Sequence, residues 1–299
     1  MTSPAHSPQH QAAQRSLWVS VAVNIVLTIA QLLAGVWAGS QALVADALHS
    51  LSDLLADFVA LLARKHSSKA PDHDHQYGHY RYETAASLVL GALLLAAGCS
   101  MLWGAGNKIL HHTALSPVHP LALYVALFTL VSKESLFRYM LAVATRVKSS
   151  MLVANAWHAR ADAASSLVVA AGIGGNLLGY TWLDPLAAAL VGFMVGRAGW
   201  QFAWDALHDL MDRAADDDTV AAIQQALLET PGVQGIHDLR TRRLGDHVQV
   251  DVHLEIDGEL TVYQGHDIAA DARARVMAAH QVLDVMTHID PVGLPVNQR

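Results

Sequence analysis

His49 and Asp53 stand four residues apart in "DALHSLSD", and His158 and Asp162 repeat that spacing in "WHARADAASS". Residues i and i+4 of a helix share one face. Two such helices can aim two imidazole nitrogens and two carboxylate oxygens at one point. That donor set suits tetrahedral Zn²⁺, and the two carboxylates neutralise a dication where the dielectric constant is low. A lone histidine in a helix is commonly a packing residue or interhelical glue. Two copies of His-x-x-x-Asp in separate apolar runs point to metal instead, because ionisable groups within a membrane span are costly and mark function. Asp57, one turn further along, is either a ligand on the way into the site or a solvated residue at a cavity mouth. Asp46 is either functional or simply near the outer interface. Asn24 and Gln31, seven apart on one helical face, are read first as interhelical hydrogen-bonding residues.

The elements that must position these groups are long and apolar. Of 299 residues, 53% are hydrophobic and 15% charged, with a mean hydropathy of +0.29; a soluble domain usually carries about a quarter charged residues. Six stretches reach the roughly 20 residues that a spanning helix needs: 16–38, 41–63, 84–108, 120–143, 151–178 and 183–206. The first follows a polar start without a cleavage-site pattern and is read as retained. The expected layout is therefore an N-terminal tail (1–15), an all-α six-helix transmembrane bundle (16–206) and a C-terminal α+β domain (207–299). Arg15, then Arg64, Lys65, Lys69 and Arg81, then Arg146 and Lys148 fall in connections on one side. The positive-inside rule makes that side, and both termini, cytoplasmic.

The net charge of −7 without a basic block argues against nucleic acid as a partner. No H-E-x-x-H helix is present, so a membrane metalloprotease is excluded. The single cysteine, Cys99, is read as a small buried hydrophobe. Histidine is the compositional anomaly: there are 18, against 19 lysines and arginines together, which suggests metal or proton chemistry.

Between the second and third spans, "DHDHQYGH" packs Asp72, His73, Asp74, His75 and His79 into one short segment. After residue 206 the pattern reads helix, strand, strand, helix, strand. In "HVQVDVHLEID" Val248, Val250, Val252 and Leu254 alternate with Gln249, Asp251, His253 and Glu255. One face should pack on the two helices while the other stays polar and open. His288 and Asp290, two apart on the last strand, share a face. His247 and His280 are read as solvated.

The pair "DALHSLSD" and "WHARAD", with "DHDHQYGHYRYE" between them, resembles the cation diffusion facilitator family of divalent-metal efflux transporters, most of all its bacterial zinc and iron exporter branch. The likeness runs through essentially the whole chain. It implies a homodimer in the cell (inner) membrane with a metallochaperone-like cytosolic tail, exchanging metal, most of all Zn²⁺, for protons. It implies a transport site of His49, Asp53, His158 and Asp162, and a loop site of Asp72, His75 and His79. It further implies a tail site of His237, His253, His266, His288 and Asp290, and a charge interlock between Arg81 and Asp212. Some close bacterial relatives carry Asp where this chain has His49. Fe²⁺, Mn²⁺, Co²⁺ or Cd²⁺ as the main substrate remains the alternative, as does a metal sensor that does not transport.

Overall fold

A computed structural model describes residues 8–67, 69–111, 117–147 and 150–292. Lys148 and residues 1–7, both used above, lie outside them. The chain divides into two compact units, Met1–Val59 with Leu90–Phe202, and Ala60–Val89 with Ala203–Arg299.

Six long helices fill the places of the six apolar stretches: α1 (Pro8–Ala38), α2 (Gln41–Ser67), α3 (Arg81–His111), α4 (Leu121–Val147), α5 (Ser150–Leu177) and α6 (Leu183–Leu210). Most outrun the predicted spans, and α1 takes in residues 8–15, which the sequence assigns to a tail. By length and composition, Arg15–Ala38, Arg81–Leu110 and Leu183–Leu210 are apolar enough to cross a membrane. Among the described residues, three of the six expected spans meet that criterion by themselves. The other helices carry charge: Asp46, Asp53 and Asp57 on α2, Lys133, Glu134 and Arg138 on α4, Arg160 and Asp162 on α5.

Small residues set the packing of the first unit. A Cβ on Gly98 of α3 would stand 2.4 Å from the backbone nitrogen of Gly196 on α6, so glycine there lets two backbones approach closely. Ala42, Leu43, Ala122, Val169, Ile173 and Val191 are completely buried in the shared core, together with residues of all six helices. The start of α2 is held by α6: Asp184 accepts hydrogen bonds from Ser40 Oγ (2.5 Å) and Gln41 N (2.8 Å). A carboxylate from one helix thereby satisfies N-terminal donors of another. Cys99, expected to be buried, is exposed on α3; it falls on a face that no other described helix covers.

In the second unit α7 (Asp217–Leu228), β1 (Gly235–Leu244), β2 (His247–Ile256), α8 (Val262–Ala279) and β3 (Val282–Pro291) follow the order read from sequence. Asp216 caps α7 through Thr219 N, and Thr261 with Gln264 forms a capping box on α8. The sheet order is β1-β2-β3, antiparallel then parallel. Val250, Val252 and Leu254 are buried against Ile223 and Leu227 of α7 and Ala269, Ala272 and Val276 of α8. The opposite face of β2 is less open than expected: Gln249 is buried, and Asp251, His253 and Glu255 are half-buried. β2 is the central strand, so side chains from both neighbours flank it.

Candidate metal centres

Within the helical unit, α2 and α5 bring three of the four expected groups together. Donor atoms of His49, Asp53 and Asp162 all lie within 4.8 Å of one another. His49 Nδ1 is 3.8 Å from Asp53 Oδ2, one turn along α2, and His49 Nε2 is 4.0 Å from Asp162 Oδ1 on α5. These separations are those of groups that could share an ion rather than bond to each other. His158 stands 4.0 Å from Asp162 Oδ2 through Nε2, but its side chain is 65% exposed and does not join the tight group of three. Asp57 is exposed. Asp46 is enclosed among the helices, and its side chain accepts a hydrogen bond from Gln31 Nε2 at 2.5 Å. Gln31 therefore makes the interhelical bond expected of it, whereas Asn24 is half-buried with no such bond among those described.

In the second unit, Asp72, His75 and His79 also converge. Asp72 Oδ1 is 3.4 Å from His75 Nδ1, and Oδ2 is 3.3 Å from His79 Nε2. A tight turn makes this possible. Gly78 adopts φ +82°, its N–H donates to His75 O at 2.9 Å, and the chain doubles back to set His79 beside Asp72. Backbone N–H groups of His75 (2.8 Å) and Asp74 (3.1 Å) donate to Asp72 Oδ1, and the His75 bond above all holds that carboxyl below the usual carboxylate range. His79 is buried at the second ring nitrogen, Nδ1, with Tyr82 stacked at 5.8 Å. His73 and Asp74 contact each other at 3.3 Å and stay fully outward. Arg81 pairs with Asp212 and also donates to Leu210 O at 3.0 Å.

On the sheet, register aligns three histidines. His237 of β1 pairs with His253 of β2, which pairs with His288 of β3. Neighbouring rings are 4.9 Å and 4.6 Å apart. Asp290 sits among them: Oδ2 is 2.8 Å from His253 Nδ1 and 3.2 Å from His237 Nε2, and Oδ1 is 3.4 Å from His288 Nε2. Burial pushes the Asp290 carboxyl up, but the hydrogen bond from His253 and the nearby imidazoles outweigh it and leave it below its ordinary range. His266 is not brought to this cluster within the protomer; it is exposed on α8. Two acidic groups were not assigned to this cluster from the sequence. Asp238 forms a group with His237 and His253, and Glu255 Oε1 lies 3.9 Å from His237 Nε2. Asp238 is turned in by a bulge between His237 and Arg240, at φ +49°; an aspartate beside a histidine was the only sequence trace of it. His247 and His280, read as solvated, are half-buried and line a cavity of about 910 Å³ with Glu83, Asp216 and Arg243; His247 also meets the Tyr80 ring edge-on at 5.4 Å.

Comparison with known proteins agrees with this architecture. Residues 17–211 match the cation efflux transmembrane domain, and residues 215–292 the cytoplasmic domain of cation efflux proteins. Metal tolerance protein 2 of Oryza sativa subsp. japonica is 34% identical over 96% of this chain and 80% of its own length. The manganese efflux system protein MneS of Bacillus subtilis is 31% identical, covering 92% of this chain and 94% of that protein. The cation-efflux pump FieF of Shewanella oneidensis is 30% identical, over 94% and 97% respectively. Among solved structures, the metal-bound C-terminal domain of the CzcD transporter from Thermotoga maritima is 27% identical, covering 26% of this chain and 91% of that one, at a TM-score of 0.25 that carries the likeness no further. With a helical domain and an α+β tail both matched, and histidine–carboxylate clusters in both, the chain belongs to the cation diffusion facilitator family, as a multi-pass membrane protein that transports divalent metal ions and is not an enzyme.

Proposed function

We propose that the protein exports Zn²⁺ from the cytoplasm in exchange for protons, with His49, Asp53, His158 and Asp162 as the transport site. The observation that carries the reading is the convergence of His49, Asp53 and Asp162 from two helices inside an apolar bundle. His158, one turn before Asp162, swings in from its exposed position as the fourth ligand once an ion is present. Two imidazoles and two carboxylates favour a small tetrahedral ion over larger, harder ones. A ligand must lose its proton to bind metal, so metal and proton compete for the same atoms. Histidine titrates near neutral pH, which lets a modest pH difference release the ion on the far side.

In the same reading both termini face the cytoplasm and two copies assemble through their tails. The loop and tail clusters bind metal on the cytoplasmic side, and the Arg81–Asp212 pair ties α3 to the end of α6. The clustered His237, His253, His288 and Asp290 support the tail's part in this, since the sheet face that bears them lies opposite α7 and α8.

The test is zinc uptake into sealed vesicles carrying the purified protein. Uptake is expected to need an opposing proton gradient and to collapse when that gradient is dissipated; zinc binding without gradient-dependent uptake would favour a sensor. Competing Cd²⁺ and Mn²⁺ should displace zinc poorly in the native protein. His49→Asp replaces an imidazole with a third carboxylate, and should raise cadmium and manganese competition by about ten-fold while retaining zinc transport. An unchanged zinc-to-cadmium ratio would remove His49 as the selectivity determinant.

A further inference from the structure

Asp46 lies one turn before His49 on α2, and four helices meet at its carboxylate. Oδ2 accepts from Gln31 Nε2 of α1 (2.5 Å) and Ser166 Oγ of α5 (2.7 Å), and Oδ1 is 3.2 Å from Ser165 Oγ. Lys133 of α4 approaches Oδ2 to 3.7 Å. Its side chain is 3% exposed, and its ammonium donates to Ser50 Oγ at 3.1 Å. A lysine and an aspartate, both almost wholly enclosed, thus form an ion pair within the bundle. An unpaired charge in such a place is strongly unfavourable, so each makes the other tolerable.

The pair also adjoins the metal-ligating turns. Ser50 directly follows His49. Ser165 Oγ lies 2.8 Å from the backbone carbonyl of Asp162 as well as beside Asp46. The same small network therefore touches the helical turns that present ligands from α2 and from α5. Without Lys133, a third carboxylate would act on an ion held at His49, Asp53 and Asp162 from about one turn away.

We infer that Lys133, through its pairing with Asp46, fixes at minus two the charge that the intramembrane site presents to its ion, and so tunes metal affinity without touching the metal. This rests on the transport-site reading above. Lys133 is a positioning residue for charge: it offsets a carboxylate that holds four helices together yet would otherwise add to the pull on a dication. Two carboxylates balance a dication, so it can be released. A third would slow that release.

Opposite substitutions then have opposite effects. Lys133→Gln uncovers Asp46, and the KM for zinc should fall by about ten-fold with a lower kcat, because the ion leaves slowly. Asp46→Asn leaves an uncompensated ammonium, and KM should rise by about ten-fold. The double substitution removes both charges and should bring KM back to within about three-fold of native. A pair that merely braces the bundle would behave otherwise. Both single substitutions would then impair transport in one direction, and the double would be no better.

The experiment measures initial rates of zinc uptake against free zinc in vesicles of the full-length native, Lys133→Gln, Asp46→Asn, double and Asp162→Ala proteins. Opposite KM shifts reversed in the double support the inference. Shifts in the same direction, with Asp162→Ala inactive, overturn it and leave the transport site standing. Normal transport by Asp162→Ala overturns the site itself. If Lys133→Gln fails to fold, Asp46→Asn against the double decides: a raised KM that the double reverses supports the inference, and equal values overturn it.

Discussion

Asp162→Ala should abolish zinc flux, lowering the initial rate at least about 100-fold, which corresponds to about 2.7 kcal/mol. Asp162 has one histidine at 4.0 Å from each of its carboxylate oxygens and supplies one of the two negative charges available to the ion. Without it a dication inside the bundle is only half neutralised. The fold should tolerate the change. The α5 backbone keeps its bond from Ser165 Oγ to the Asp162 carbonyl, and removing a half-buried carboxylate relieves a desolvation cost. The check is vesicle uptake alongside size-exclusion and thermal-melting profiles of the purified protein. Normal flux in a well-folded variant would withdraw the assignment.

The second large effect is expected in the tail. Asp290 is the carboxylate that three histidines share. Asp290→Asn keeps the side chain's size and loses the charge, so zinc affinity of residues 207–299 should fall about 100-fold by calorimetry. In the native fragment zinc should also draw two copies into a more compact dimer, visible in small-angle scattering, and the variant should need far more zinc for the same change. The fragment is a fair object for this test because its core is built from its own residues, Ile223 to Val285. Zinc that leaves both affinity and scattering unaltered between the two proteins would reduce the histidine row to surface.

Much of this was legible in the chain, for a physical reason. The transmembrane ligands lie at i and i+4, and a helix converts that spacing into a shared face without help from the rest of the fold. The tail's alternation in Val248–Glu255 likewise follows from the pleat. What escaped depended on contacts distant in sequence. The enclosure of Asp46 was not legible because Gln31, Lys133, Ser165 and Ser166 lie on other helices, and nothing local announces that they meet. Lys133 was not singled out in the sequence at all. Asp238 enters its cluster only through a bulge, and the alignment of His237, His253 and His288 depends on strand register that no single segment encodes. His266 was placed by family resemblance, and within one protomer α8 turns it outward. Cys99 was judged by its apolar neighbours, although a spanning helix can expose an apolar face as readily as bury it.

Central to the account is that metal and protons compete for one set of atoms inside the bundle. The most direct measurement counts protons released into weakly buffered detergent solution as zinc binds to the full-length protein, in native, Asp53→Ala and Asp162→Ala forms at matched zinc occupancy of the loop and tail sites. The account predicts that each variant binds about one zinc fewer per protomer than the native protein, and that the proton release belonging to that ion disappears with it. Undiminished zinc binding and proton release in both variants would contradict it.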